Sequence, residues 1–564
     1  MNILSVTSGN WLTSLIQTVN SWVWSPALVA LCLLAGLYFS LRTRFVQVRR
    51  FGEMFRLLFF PNGRNNKDKS ASPDQKKKGI TSFQAFAMAL SGRVGTGNIV
   101  GVATAIGLGG PGAIVWMWII AFFGAGSAFA EATLAQIYKE DHNGQFRGGP
   151  AYYIEKGLHS PFFGSLFAVM AALACGFFLP PVQCNGIAIS MSQTLSVAPW
   201  TIGIGVALLI GLVIIGGVKR IANVAQIVAP FMAFLYIILS IIVLAVHIDI
   251  VPAVFIDMLR SSVGAGQVGS AILGSTIAWG VKRGIYSNEA GQGTGPIVAA
   301  AAKVTHPVKQ GLVQAFSVYI DTLLVCTATA LMILACGTYN VIDTIQHLPD
   351  GGVSVSYLVQ NSQAPLGEPG VFYTSAALSS LTGRRLGDGI ISFALFFFAF
   401  TTIMAYYYYA ETNLVYLFSR FRMRKLRNMQ NIVQAERDTN TSSDVNRQWM
   451  ESEERMLSDM QEDYRRADSS FGDDRGEKIV IWILRISTIS AVFIGSMLGS
   501  GIVWTLGDIG VGIMAWINII SILLLSPKAI NSLRDYERQQ RLGVNPRFDA
   551  EALGIKNADF WKDY

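Results

Sequence analysis

The chain has 564 residues, of which 52% are hydrophobic and only 14% charged, with 55 glycines and a mean hydropathy of +0.42, values outside the range of soluble globular domains. Its formal net charge of +8 does not point to nucleic acid, because the basic residues sit beside apolar runs, where they report membrane topology and anionic lipid. Cys32, Cys175, Cys184, Cys326 and Cys336 lie in or beside apolar runs without paired ligand spacing, which argues against a disulfide framework or a zinc centre.

The first 22 residues carry no basic segment ahead of their apolar part, so a cleaved signal peptide is not expected. Runs of spanning length occur at 22–40, 81–106, 112–138, 163–195, 200–217, 221–247, 266–280, 311–337, 386–418, 479–498 and 506–525. At roughly twenty residues per span they predict about eleven helices in an all-α polytopic membrane protein. The segment 251–263, apolar on one side with Asp257 and Arg260 on the other, reads as an interfacial helix.

Lys and Arg bias sets the orientation. Arg42, Arg44, Arg49, Arg50 and Arg56 follow the first span, and Lys219-Arg220, Lys282-Arg283, Lys303, Lys309 and the basic cluster at 420–427 fall on the same side by alternation. That side is cytoplasmic by the positive-inside rule, which puts the N-terminus outside and the C-terminus in the cytoplasm of a bacterial inner-membrane type of plasma membrane. The divisions expected are an external N-terminus (1–22), an extra first helix (23–41), a basic linker (42–80), five helices (81–247), the interfacial segment (248–265), five more helices (266–528) and a cytoplasmic tail (529–564). A charged insertion at 425–478 reads as a solvated helical excursion, with docking of a cytoplasmic partner as the alternative.

Ser91-Gly92-Arg93-Val94-Gly95-Thr96-Gly97-Asn98 falls near the middle of the second run, so the helix should break at mid-membrane depth. Non-helical backbone is tolerated there only under protein cover or against a wet cavity. The run at 266–280, which opens the second set of five, carries Gly269, Gly274, Ser275, Thr276 and Gly280. Interrupted helices at corresponding places in two halves of opposite orientation point to a secondary transporter built of inverted repeats. Close packing of small residues would also explain the glycines, but not the polar residues among them.

At such a break, the amides of a half-helix starting near Thr96 suit a carboxylate, while carbonyls freed at Ser91 and Val94 are hard oxygen ligands for a small cation. Thr401 and Thr402 lie mid-span and could add hydroxyls; back-bonding within their own helix is the plainer alternative. Gln183, following Pro180-Pro181, fits a substrate contact or interhelical glue. Trp279 could wall a pocket. Arg93 abuts the break and is expected to form a gate ion pair with Asp321, Glu131 or Glu411; Asp321 could equally be a cation ligand or a proton carrier. Enzyme signatures are missing: His142, His159, His247, His306 and His347 show no metal spacing, and Gly291-Gln292-Gly293-Thr294-Gly295 lacks the Lys-Ser/Thr of a phosphate-binding loop.

Four runs, SGRVGTGNIVGVATAIGLGGPGAIVWMW at 91–118, GGPAYYIEKGL at 148–158, WGVKRGIYSNEAGQGTGPIVAAAAKVTHPVKQGLVQ at 279–314 and FAFTTIMAYYYYAETNLVYLF at 398–418, resemble the alanine-or-glycine:cation symporter family. The resemblance implies a leucine-transporter-type fold, five-plus-five inverted repeats with two broken helices after one extra N-terminal helix. It implies Na+ as coupling ion and a small neutral amino acid as substrate. Thr96, Gly97 and Asn98 would receive the carboxylate, with Gln183, Ser275, Thr276, Trp279 and Gly280 along the rest of the substrate. The carbonyls of Ser91, Val94 and Phe398 with the hydroxyls of Thr401 and Thr402 would hold Na+. The insertion at 425–478 departs from the family pattern, as does Met404-Ala405-Tyr406.

The reading is therefore a Na+-coupled alanine or glycine symporter working by alternating access. Its alternatives are an H+-coupled or a glutamine- or serine-specific symporter of the same fold, and an amino-acid sensor signalling through 425–478.

Overall fold

The computed structural model describes residues 10–59, 79–142, 144–265, 272–347, 353–367, 369–439, 458 and 475–562. Residues 60–78 of the linker expected at 42–80, and most of the insertion at 425–478, lie outside them.

The chain begins with α1 (Asn10–Val23) and α2 (Pro26–Arg42), separated at Ser25, where Pro26 supplies the first-turn position that needs no amide donor. The stretch after α2 is not a free linker. A single turn (Val46–Arg49) and α3 (Phe51–Phe59) fold into an elbow, because Met54 and Leu58 bury one face while Arg50 and Arg56 stay near solvent.

The first broken helix follows. α4 (Ser82–Arg93) opens on a capping box between Thr81 and Gln84 and stops at Val94, whose ψ of 91° leaves the helical region. A wide turn (Gly97–Gly101) leads into α5 (Val102–Gly109). α6 (Ala113–Ile137) returns, and a hairpin of β1 (Glu140–His142) and β2 (Gln145–Arg147) precedes α7 (Pro150–Leu158). α8 (Pro161–Leu173) and α9 (Leu179–Leu195) form one bent span. The wide turn between them (Ala174–Phe178) stands just before Pro180 and Pro181, which cannot donate to the preceding turn. α10 (Pro199–Ile214), α11 (Gly217–Val246) and the short α12 (Val251–Ser262) follow.

α13 (Leu273–Asn288) is continuous through the break expected around Ser275–Gly280, and the helix opens instead at 289–294 before α14 (Gly295–Ala301). The apolar run ends at Gly280 because Lys282 and Arg283 follow, yet the helix continues through them since both reach Asp508. These two cations are therefore buried within the bundle and not in the cytoplasmic loop to which the charge bias assigned them. α15 (Pro307–Val318) passes through a wide turn (Tyr319–Cys326) into α16 (Thr327–Ala335). The hairpin of β3 (Val341–His347) and β4 (Val353–Val359) packs with α17 (Val371–Thr382) over the end of α5, where Pro369 meets Gly107. α18 (Arg384–Thr439), α19 (Arg475–Gly495), α20 (Ser500–Leu524) and the amphipathic α21 (Ser526–Arg541) close the chain.

The described part of each of the eleven predicted runs lies largely on helix, and among the described residues eight helices are long and apolar enough to cross a membrane. Among the described residues, two hairpins are additions to the all-helical expectation. α4 runs between α11 and α18, and α13 lies along α6, so both breaks sit inside the helical packing.

Candidate functional site

The carbonyl of Ser91 belongs to the last turn of α4, where no intrahelical amide reaches it. The hydroxyl of Thr402, on α18, lies 2.8 Å from this oxygen, 3.2 Å from the Val94 carbonyl and 2.9 Å from that of Phe398. Thr401 Oγ1 lies 3.0 Å from the same Phe398 carbonyl. Ser91, Val94, Phe398, Thr401 and Thr402 therefore form one buried cluster of three carbonyls and two hydroxyls. Such hard, uncharged oxygens suit a small monovalent or hard cation. Gly95 makes the approach possible: a Cβ there would stand 2.6 Å from Thr402 Oγ1 and 2.8 Å from Gln183 Oε1.

Beside the cluster, the Thr96 amide donates to Gln183 Oε1 at 3.0 Å, and the Gly95 amide donates to Asn98 Oδ1 at 2.8 Å. Gly97 opens the helical turn toward α5 and faces Tyr286 and Ser287 of α13. The buried hydroxyls of Thr96 and Tyr286 meet each other beside Gln183. Together these groups make a polar cradle at the start of a half-helix, where the dipole favours an anion.

Asp321 sits in the wide turn after α15, fully buried. It accepts from Asn98 Nδ2 at 2.6 Å, from Ser287 Oγ at 2.9 Å and from Thr322 Oγ1 at 2.8 Å. Asp321 thus joins the first broken helix to the second through neutral donors, and it is not Arg93's partner. The expected gate ion pair is absent among the described residues: Arg93 donates to the Asn288 carbonyl at 2.7 Å, to Gln314 Oε1 at 3.2 Å and to Ser317 Oγ. The reason is geometric. Arg93 ends α4 and Asn288 ends α13, so one guanidinium lies against the negative ends of two half-helix dipoles.

Four residues expected to line the substrate lie within α13 and not at the second break. Ser275 and Thr276 lie in α13 and donate to the carbonyls of Leu108 and Gly109 at 2.8 and 2.7 Å, closing the end of α5. Gly280 packs against α6, where a Cβ would stand 2.4 Å from the Ala113 carbonyl oxygen. Trp279 stacks beneath Lys282 and Arg283, at 5.1 and 5.2 Å. Counting from Gly280, the opening at Glu289 is about 13 Å further along the helix.

Sequence reasoning missed Tyr286, Ser287 and Glu289. Glu289 adopts φ 56° where α13 ends, and its carboxylate accepts from Tyr409 at 3.3 Å. A signal was present: Gly95-Thr96-Gly97 recurs as Gly293-Thr294-Gly295 at the second break, where Gly291 and Gly293 have φ of 81° and 93°.

The sodium:alanine symporter family model matches residues 9–435 and 467–550. The chain belongs to that family. YrbD of Bacillus subtilis (strain 168) is 47% identical over 550 residues, covering 97% of this chain and 98% of the relative. The sodium/proton-dependent alanine carrier protein of Bacillus sp. (strain PS3) is 42% identical, covering 86% and 94%. The sodium/alanine symporter AgcS of Methanococcus maripaludis is 38% identical, covering 72% and 83%. The membership makes the chain a multi-pass membrane transporter.

Proposed function

We infer that this member of the sodium:alanine symporter family moves alanine or glycine together with Na+ into the cell. The observation that carries the reading is the convergence of the Ser91, Val94 and Phe398 carbonyls on Thr402, with Thr401 beside it. Na+ there would bridge the end of α4 to α18, holding the first break in one geometry. Substrate carboxylate would take the Thr96 and Gly97 amides, displacing Gln183 Oε1, while the hydroxyls of Thr96 and Tyr286 supply further contacts.

Asn98 uses both ends of its amide, one on Gly95 and the other on Asp321, and so would pass the ordering of the break to Asp321 and Ser287. Sodium and substrate each stabilise the same arrangement, so each raises the affinity of the other by linkage. The orientation follows the basic residues, with the C-terminal tail in the cytoplasm.

Uptake of radiolabelled alanine and glycine into proteoliposomes tests the reading. Accumulation should require an inward Na+ gradient and fail with choline; accumulation indifferent to Na+ would overturn it. A pH-gradient arm distinguishes coupling to protons, which the name of the strain PS3 relative brings into question.

A further inference from the structure

We propose that a cavity between the end of α2 and the amphipathic α21 binds the headgroup of an anionic phospholipid carrying two phosphates, of the diphosphatidylglycerol kind. The cavity has a volume of about 510 Å³ and is lined by Arg42, Arg44, Arg49, Arg534, Arg538 and Arg541 against the one carboxylate of Glu537. Thr43, Ile530, Leu533 and Leu542 complete the lining.

Only part of this charge is answered by protein. Arg49 pairs with Glu537 at 2.6 Å and Arg538 with Asp535 at 2.6 Å. Arg42, Arg44, Arg534 and Arg541 are exposed and make no ion pair among the described residues. They stand as two pairs, one on each wall. Arg534 and Arg541 are seven residues apart and so share a face of α21. Each pair matches one phosphate, for which the planar guanidinium is the fitting donor.

The backbone is shaped for the purpose. Arg44 and Phe45 both adopt left-handed conformations, with φ of 55° and 52°, which side chains other than glycine rarely take. That reversal turns the chain directly after α2, so Arg42, Arg44 and Arg49 come to line one space. Arg49 locks it by donating to the carbonyl of Thr43 at 3.1 Å. The hydrogen bond between Tyr38 and Ser526, 3.0 Å, holds the end of α2 to the start of α21.

A lipid and not a free anion suits the surroundings. Leu34 and Leu41 are 62% and 58% exposed on one stripe of α2 leading to the cavity, and Leu542 on its rim is 72% exposed. Acyl chains would cover the stripe while phosphates fill the cavity, the arrangement expected of basic pockets between helices at an anionic leaflet. The elbow formed by α3 follows this wall and packs on α15 and α4. An occupied cavity would thereby steady the segment that leads to the first broken helix.

The test is lipid retained by the full chain purified in mild detergent, read by native mass spectrometry, with thermal stability followed on adding diphosphatidylglycerol, phosphatidylglycerol at equal charge, or inorganic phosphate. Wild type should retain about one diphosphatidylglycerol per chain. Retention should fall about tenfold or more in the Arg42→Gln, Arg44→Gln, Arg534→Gln, Arg541→Gln variant, and persist in the control Arg384→Gln, Arg385→Gln. Should the quadruple variant fail to fold, the Arg534→Gln, Arg541→Gln pair repeats the comparison on α21 alone. Unchanged retention in both would overturn the site. Equal retention of phosphatidylglycerol would overturn the two-phosphate assignment, and equal stabilisation by inorganic phosphate would overturn the lipid.

Discussion

Arg283 of α13 and Asp508 of α20 are joined at 2.6 Å inside the bundle, and Lys282 reaches the same carboxylate oxygen at 2.6 Å. Two cations share one carboxylate, and the surplus charge lies against aromatic faces: Arg283 stands 4.8 Å from the Trp504 ring and 5.4 Å from that of Tyr286. Removing the shared member is therefore worse than removing either partner. Asp508→Asn should cost about 3–5 kcal/mol, the range for a buried charge deprived of its counter-ion. Arg283→Gln leaves the Lys282–Asp508 pair intact and should cost less. Thermal unfolding in detergent should rank the midpoints wild type, Arg283→Gln, Asp508→Asn, and the reverse order for the two variants would refute the shared-anion arrangement.

At the oxygen cluster, Thr402 touches three carbonyls and Thr401 one. Thr402→Val keeps the shape and removes the hydroxyl, so half-activation by Na+ should shift upward by about tenfold or more, equal to roughly 1.4 kcal/mol. Thr401→Val should shift it less. Sodium titrations of alanine uptake measure both, and unaltered activation in the Thr402 variant would remove this cluster as the ion site.

How far these positions were legible depends on what carries the information. The first break announces itself in Ser91–Asn98, since glycines and polar residues interrupt an apolar run. The apposition of Phe398, Thr401 and Thr402 to that break is a long-range relationship, and no local pattern contains it; only the family resemblance supplied it. The second break lies beyond the end of the apolar run, because Lys282 and Arg283 are carried inside by Asp508, more than two hundred residues away in sequence. The repeated Gly-Thr-Gly triplet at 95–97 and 293–295 is the local mark that locates both breaks.

Gly95 offers a steric test of the same geometry. An alanine methyl would press to 2.6 Å from Thr402 Oγ1 and 2.8 Å from Gln183 Oε1, distances real Cβ atoms do not tolerate. Gly95→Ala should abolish uptake while leaving a monodisperse protein, because the displaced groups are the ends of two side chains and not backbone. Wild-type transport by this variant would mean that the break does not work at the spacing seen here.

Stability should also depend on pH through His306, which lies just before α15 outside the spanning helices. Its Nδ1 accepts from the Val308 amide at 3.3 Å, its Nε2 faces Asp535 at 3.5 Å, and its ring packs against Tyr536 and Phe548. Burial holds the imidazole below its ordinary value of 6.5 in spite of Asp535, with Lys309 pushing the same way as burial. The folded chain thus binds fewer protons at this site than the unfolded chain just below pH 6.5, so folding weakens as pH falls from there. Asp535, held down to about 2 chiefly by its hydrogen bond with His306, adds stability that is complete above its ordinary 3.8 and is lost only below it. Between pH 7 and 5 the histidine alone therefore sets the contribution of this pair. His306→Asn keeps an acceptor for the Val308 amide and cannot titrate, so it should flatten the fall of the unfolding midpoint across that interval even if it lowers the midpoint overall. Scanning calorimetry or fluorimetry at half-unit pH steps measures the slope, and equal slopes in the two proteins would exclude His306 as its source.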